Sequence, residues 1–574
     1  MGFLDLVGVI AIGLLGALSV TGLQSRQPNG QVALALEILR IENFSFQAQA
    51  TFLGIGAVGL LIGRTILSII FTRKILFFLS RRGAKISADL IAKLLSQPLL
   101  TVQARTTQET LYSVTSGVSH ITLQVLATFV VLLSDIALLI IMAIGLFIVD
   151  PLTSIGTFSI FFLISLFLYK FMHVRASILG EKSASLNIKS NEKIVEVFGS
   201  YRESVVRNRR DYYAREIGKL RYSLADASAE TGFLPYVSKY VIESSVILGA
   251  LLIGATQFVL QDATHAVSTL SVFLAAGTRI APAVLRIQQG TIQIKNSLGA
   301  AAPTLDLIEL LDRVKLELST DDKLDILHSG FTAEINVKNV SAIYPGMKLP
   351  ALSEISFDVY AGESVAVVGE SGAGKTTLID VLLGVLNTDS GSVAISGLAP
   401  ADTVMRWPGA IAYVPQDVTI AAGTFRENVA LGYPVEEATD ELVMRALKIA
   451  HLDEYVNSLP NGIDTEVGER GARISGGQRQ RLGIARAMFT QPHLLVLDEA
   501  TSALDGETEA NISESISALR GSTTVLMIAH RLSTVRNADK IIYLSQGKIV
   551  AMGKFEYLRS VVPDFDRQAK LMGL

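Results

Sequence analysis

The sequence predicts two unlike halves: a polytopic α-helical membrane domain, then a cytoplasmic α/β domain built around a phosphate-binding loop. Three observations carry this. Apolar stretches long enough to cross a bilayer crowd the first 300 residues, a strand–glycine-loop–helix pattern occupies 365–383, and a second apolar strand ends in two carboxylates at 498–499. The overall composition averages over that split: 50% of the 574 residues are hydrophobic and the mean hydropathy is +0.44, high for a water-soluble chain. Such a length exceeds one core, so two or more domains are expected.

The membrane half comes first. A span needs about 20 apolar residues, and stretches of that kind lie near 3–24, 50–80, 121–148, 152–173, 234–259 and 266–290, six in all. Basic residues follow the second stretch (Arg73, Lys74, Arg81, Arg82, Lys85, Lys93) and the fourth (Arg202, Arg207, Arg209, Arg210, Arg215, Lys219, Arg221). The opposite loops, Asp150-Pro151 and 261–265, are short and poor in them. The positive-inside rule therefore puts both ends in the cytoplasm and makes the two basic segments cytoplasmic extensions. The first stretch begins almost at Met1 with Asp5 inside it, and Met1–Asp5 lacks the basic start of a cleavable signal. Residues 32–41, short and largely apolar, read as an interfacial helix on the outer face.

The phosphate-handling residues stand in the second half. Gly369-Glu-Ser-Gly-Ala-Gly-Lys375-Thr376 fits G-x-x-x-x-G-K-[ST], follows the apolar run Val365–Val368 and opens the helical run 377–383. In that setting Gly369, Ser371, Gly372 and Gly374 turn backbone N–H groups toward phosphates, and Lys375 reaches the β/γ oxygens. The Thr376 hydroxyl ligates Mg²⁺, with Thr377 beside it. Asp498 closes the apolar run Leu494–Leu497, where a Mg²⁺ partner is needed; Glu499 is placed to polarise a water as general base. Between them, Ser475, Gly476, Gly477 and Gln478 precede a helical stretch whose N-terminus suits an anion.

These motifs, with Gln416 in Tyr413–Asp417 and His530 in Ile528–Arg531, resemble the ATP-binding-cassette family over roughly residues 331–574. The resemblance implies ATP as the nucleotide, Tyr344 stacked on adenine, and His530 at the γ-phosphate. It also implies that Gln416 joins the metal and water to the membrane part and that Ser502–Asp505 crosses a dimer interface. Ile474 stands where the family usually has Leu, a departure that leaves phosphate binding untouched. Six spans and one cassette, with the run 465–471, look like a half-transporter of the exporter type, organised as 1–318 membrane domain, 319–330 linker and 331–574 cassette. A second copy of the chain is the implied partner, because each loop at Ser475–Gly477 completes the site on the opposite subunit.

Charges inside spans are functional candidates. Arg279, Arg286 and Gln293 recur every seven residues and share one helix face. Either that column faces the bundle interior as a donor set for an anionic headgroup, or Arg286 and Gln293 lie beyond the membrane. Lys239 and Glu243, four apart, can neutralise each other, and Arg64 reads equally as cavity-lining or snorkelling. The external helix and the Arg279–Pro282 run are similar to flippases of lipid-linked oligosaccharides, so the cargo expected is an amphipathic lipid of that kind. A broader lipid, multidrug or peptide exporter, or an ATP-gated channel on the same fold, remains an alternative. Soluble ATPases acting on nucleic acid are excluded by the fused spans, and a net charge of −3 supplies no basic field. The chain has no cysteine, which excludes disulfides and thiolate chemistry.

Overall fold

The computed structural model describes residues 44–149, 151–260, 263–314, 324–344, 346–347, 349–468, 471–500, 506–529 and 535–571, together with Glu37. The chain divides into two compact units, one of Met1–Gln97 with Thr101–Leu316 and one of Pro98–Leu100 with Glu317–Leu574. The expected first span and the interfacial helix fall outside the described residues, Glu37 excepted.

The first unit is helical. Helix α1 (Phe46–Leu95) is capped by Ser45, whose hydroxyl accepts from the Ala48 N–H at 3.4 Å. A helical stretch from Thr107, capped by Thr106, passes through π-helical turns at Ser113–Gly117 and His120–Leu126 into α2 (Ala127–Val149). Then come α3 (Pro151–Gly199), α4 (Arg210–Leu260) and α5 (Ala263–Ala300), with Pro151 at the start of α3, where its missing N–H costs nothing. At 1.5 Å per residue a 50-residue helix such as α1 is about 75 Å long, more than twice a bilayer core. Such a helix is longer than a membrane crossing alone requires. Among the described residues, Thr107–Ile144 and Ser154–Gly199 are long and apolar enough to cross a membrane; the other expected spans fall within α1, α4 and α5. Outward-facing side chains such as Phe52, Ile55, Ile140, Phe162 and Leu163 are exposed, an arrangement suited to hydrocarbon rather than water.

What holds the helices together is a small apolar core and close backbone contact. Phe161, Leu168 and Met172 of α3 meet Leu234 and Ile242 of α4 and Ile280, Val284 and Ile292 of α5. Nearer the ends of α3 and α5, a Cβ on Gly180 would collide with the Asn296 carbonyl, and one on Gly299 with the Ser177 carbonyl. Small residues let helices approach in this way where the solvent is as apolar as the side chains. Lys239 Nζ lies 3.9 Å from Glu243 on the next turn of α4.

The second unit is α/β. A three-stranded antiparallel sheet has β1 (Ile335–Ala342) between β2 (Leu352–Val359) and β4 (Ser390–Ile395). A six-stranded sheet runs β5 (Ile411–Val414), β6 (Leu494–Asp498), β7 (Thr524–Ile528), β3 (Ser364–Gly369), β8 (Lys540–Ser545), β9 (Lys548–Gly553). All its pairings are parallel except β8 with β9. Every residue of β6 and β7 is buried, as expected for central parallel strands covered on both faces. One face packs against Phe425, Leu482, Phe489 and Phe565, the other against Ile355, Leu378 and Ile379. β3 and β6 flank β7, so their carboxyl ends open on one edge of the sheet, where α/β sheets bind ligands.

Gly299→Ala should destabilise the full chain by about 1–3 kcal/mol through overpacking. Gly218→Ala, at a helical glycine with nothing within 4 Å of an added Cβ, should be neutral or stabilising. Thermal unfolding of the two variants in detergent checks this; equal stabilities would remove the close-contact argument.

Candidate active site

The phosphate loop leaves β3 at Gly369 and enters α6 (Lys375–Leu382) through Gly374. Gly374 takes φ +99°, and a Cβ there would stand 2.6 Å from the Ala351 carbonyl oxygen; a Cβ on Gly369 would strike that of Leu544. Both positions therefore demand glycine for conformation and for space. Lys375, 7% exposed, donates to the Gly369 and Glu370 carbonyls at 2.8 and 3.0 Å. Burial pushes its pKa down, against the pull of the nearby Glu499 and Asp498. Thr376 is exposed while Thr377 is buried, its Oγ1 3.3 Å from the Tyr344 hydroxyl. Tyr344 itself is partly buried against the apolar core beside the loop.

Asp498, at the end of β6, is only 5% exposed. Burial raises its carboxyl pKa, and the adjacent Glu499 raises it further. The Tyr413 hydroxyl donates to Asp498 at 3.5 Å, and its own pKa is pushed up to about 12, chiefly by burial and then by Asp498 and Asp380. Glu499 has left-handed backbone, φ +48°, unusual for a residue with a Cβ. Its N–H donates to the Ile528 carbonyl at 3.1 Å, and its Oε2 accepts from Gln416 Nε2 at 2.8 Å. The structure thus joins Gln416 to Glu499 and brings Asp498 and Glu499 near Lys375.

Ser475 caps α7 (Gly476–Met488) in a closed capping box. Its hydroxyl accepts from the Gln478 N–H at 3.2 Å, and its own N–H donates to Gln478 Oε1 at 2.7 Å. The box fixes the small residues Gly476 and Gly477 in the first turn of a 13-residue helix. Ile474 is buried in the core beneath this helix, so its exchange for the family's usual Leu is a matter of packing. His530 and Ser502–Asp505 lie outside the described residues, as do the side chains of Arg279 and Arg64. Arg286 is described, and it is ion-paired with Asp135 of α2 at 2.7 Å.

Sequence reasoning missed three participants. Tyr413 and Asp380 stand in the sequence only as members of the runs 413–417 and 377–383, with nothing to mark them as neighbours of Asp498. Asp135 had a legible signal, being a lone acid in the apolar run 127–149.

The arrangement has counterparts. Residues 352–502 match the model of the ABC transporter family. The chain belongs to that family. It is 33% identical to an ATP-dependent lipid A-core flippase of Desulfotalea psychrophila over 391 residues, 66% of each chain. It is 42% identical to a β-(1→2)glucan export ATP-binding/permease protein of Agrobacterium fabrum over 261 residues, 45% of this chain. The chain spans under half of the glucan exporter's length (43%) and 66% of the flippase's. A solved structure of a bacterial Atm1-family ABC exporter with ATP bound superposes with TM-score 0.71, covering 99% of this chain and 97% of that one at 24% identity. That likeness gives the fold: a helical transmembrane domain joined to an α/β ABC ATPase domain.

One consequence of the site's burial is measurable. The Asp498 pKa is raised in the folded chain, so its ionised form costs folding stability near neutral pH. That cost shrinks as pH falls through the raised value toward the ordinary carboxylate range. Asp498→Asn should therefore raise the thermal stability of the nucleotide-free full chain near neutral pH, with the gain fading on acidification. A gain that grows on acidification would contradict this sign.

Proposed function

We propose that the chain is half of a homodimeric, ATP-hydrolysing exporter or flippase for an amphipathic lipid. The cargo is a lipid-linked oligosaccharide, moved across the cell's inner (plasma) membrane with the cassettes in the cytoplasm. The observation that carries the ATPase reading is the convergence of Lys375, Asp498, Glu499 and Gln416 at one edge of the central sheet.

In this reading the N–H groups of the glycine loop and Lys375 hold the β/γ phosphates, and Tyr344 stacks on adenine. The oxygen donors present, the Thr376 hydroxyl, the Gln416 amide oxygen and the Asp498 carboxylate, suit Mg²⁺. That ion takes one or two carboxylates plus phosphate oxygens rather than an all-protein cage. Bound there, Mg²⁺ neutralises charge on the β and γ phosphates. Glu499 takes the proton of the attacking water, oriented by the Gln416 amide, and His530 contacts the γ-phosphate. Ser475, Gly476, Gly477 and Gln478 close the site of the other subunit; with one phosphate loop and one such loop per chain, two copies give two equivalent sites.

Support for the cargo is separate. The flippase alignment is longer than the cassette unit and so reaches into the membrane half, whereas the glucan-exporter alignment is of cassette length. Arg279 and Arg286 supply the anion-binding side chains, arginine being suited to phosphate oxygens by its fork and its permanent charge.

Glu499→Gln should bind ATP normally yet hydrolyse it ~10²–10⁴ times more slowly, the usual worth of a positioned base. Lys375→Ala should instead weaken nucleotide binding. Near-normal turnover by the glutamine variant would remove Glu499 from this role. For the cargo, Arg279→Ala should abolish ATP-dependent flipping of a labelled lipid-linked oligosaccharide in proteoliposomes while sparing basal ATPase activity. Wild-type flipping by that variant would exclude the arginine. A wild type that moves no such lipid would favour a broader exporter, and conduction without vectorial transport would favour a channel.

A further inference from the structure

The polar column on α5 has partners built into the chain itself. Arg286 Nε donates to both Asp135 oxygens at 3.0 Å and its Nη2 to Oδ1 at 2.7 Å. This two-toothed geometry is the one a guanidinium also offers a phosphate. Seven residues on, Gln293 donates to Gln124, which stands in the π-helical stretch preceding α2. Between these rungs lies Gly290, where a Cβ would stand 2.6 Å from Leu132 Cδ2 of α2. Arg286 and Gln293 are thus each matched by a side chain from α2 or the π-helical stretch that leads into it.

The two ends of the ion pair differ in access. The Asp135 side chain is 9% exposed and that of Arg286 48%. A carboxylate so deeply placed in an apolar helix is costly unless paired. The Arg286 side chain, by contrast, is half exposed and can be approached without unpacking α2. As it stands the pair carries no net charge, so an arriving anion gains little Coulombic attraction until Arg286 turns from Asp135 toward it.

We propose that Asp135 is a positioning residue that occupies the phosphate-binding edge of Arg286 and is exchanged for the phosphate or pyrophosphate of a lipid headgroup during transport. This rests on the reading of the cargo as a phosphate-linked lipid. The exchange weakens capture, because the headgroup must displace an internal rival, and it speeds release, because Asp135 returns to take the arginine back. Removing the carboxylate makes the site one charge more positive, so it holds its anion longer.

The test uses the full-length protein in proteoliposomes, with polyprenyl pyrophosphate as probe and the uncharged polyprenol as control. Half-saturating probe concentration and maximal flipping rate are measured for the wild type, Asp135→Asn and Asp135→Glu. The asparagine variant should show a half-saturating concentration lowered on the order of tenfold, the scale of a charge-assisted pair. Its maximal rate should fall, and its response to polyprenol should not change. The glutamate variant, which keeps the charge, should return both parameters toward wild type. If Asp135→Asn does not assemble, Asp135→Ala decides in its place: wild-type half-saturation without the carboxylate overturns the proposal. An assembled Asp135→Asn with lowered thermal stability and unchanged half-saturation also overturns it, leaving the pair as cement between helices. A wild type that responds to no phosphate-bearing lipid overturns this proposal and the cargo reading together; a responsive wild type with an indifferent asparagine variant overturns this one alone.

Discussion

Lys375 and Asp498 are both held out of water at the same edge of one mostly parallel sheet, and the architecture of the cassette follows from that. Burying either charge costs several kcal/mol, and their mutual attraction offsets this only when the geometry is fixed. The fixing comes from below: β3 and β6 flank β7, and almost the whole of these strands is sealed between two apolar clusters. It comes also from the backbone, since Gly374 turns the loop into α6 with a positive φ and Glu499 is held in left-handed conformation. A residue in such a region stores about 1–3 kcal/mol, which persists only where neighbours over-determine it. Here the Ile528 carbonyl and Gln416 supply that restraint. The outcome is a site whose polar groups are arranged before any nucleotide arrives, at the expense of the nucleotide-free state.

The fold class and most of the candidate site were legible in the sequence because their signals are local. A glycine loop between a β-type run and a helical run specifies its own strand–turn–helix, and Asp498 announces itself as the first acid after four buried aliphatics. The cap at Ser475 is similarly local, with both its hydrogen bonds closing within three residues. What was not legible depends on distance along the chain. Asp135 and Arg286 are 151 positions apart, and nothing in either segment names the other. The arginine stands out in the sequence as a charge within an apolar stretch, and its resident partner does not. Tyr413 and Asp380 were missed for the same reason: their effect on Asp498 exists only after β5, β6 and α6 are brought together. The left-handed φ at Glu499 leaves no trace in residue type, since glutamate has no preference for it.

The cations of the two units are treated alike. Lys375 is satisfied by carbonyls of the loop it serves, Gly369 and Glu370, and Arg286 by a carboxylate from the neighbouring helix. A cation in poor contact with water and without such partners would cost the ligand-free protein the full desolvation penalty of the charge. With them, the ligand-free state is tolerable, and each ligand is worth only the difference between its own contacts and the internal ones it replaces. That difference is what a cycling machine requires. A site that met its anion with bare, preformed charge would bind it too tightly to let go, because uniform tight binding deepens the ground state without lowering the barrier that follows. Internal partners of comparable strength bring binding and release closer to balance, so that changes of a few kcal/mol elsewhere in the chain can tip the exchange either way. The carbonyls that hold Lys375 belong to a loop with little room to move, so the lysine must reorient within it. Asp135 belongs to a helix preceded by π-helical turns, a geometry often found at functional sites.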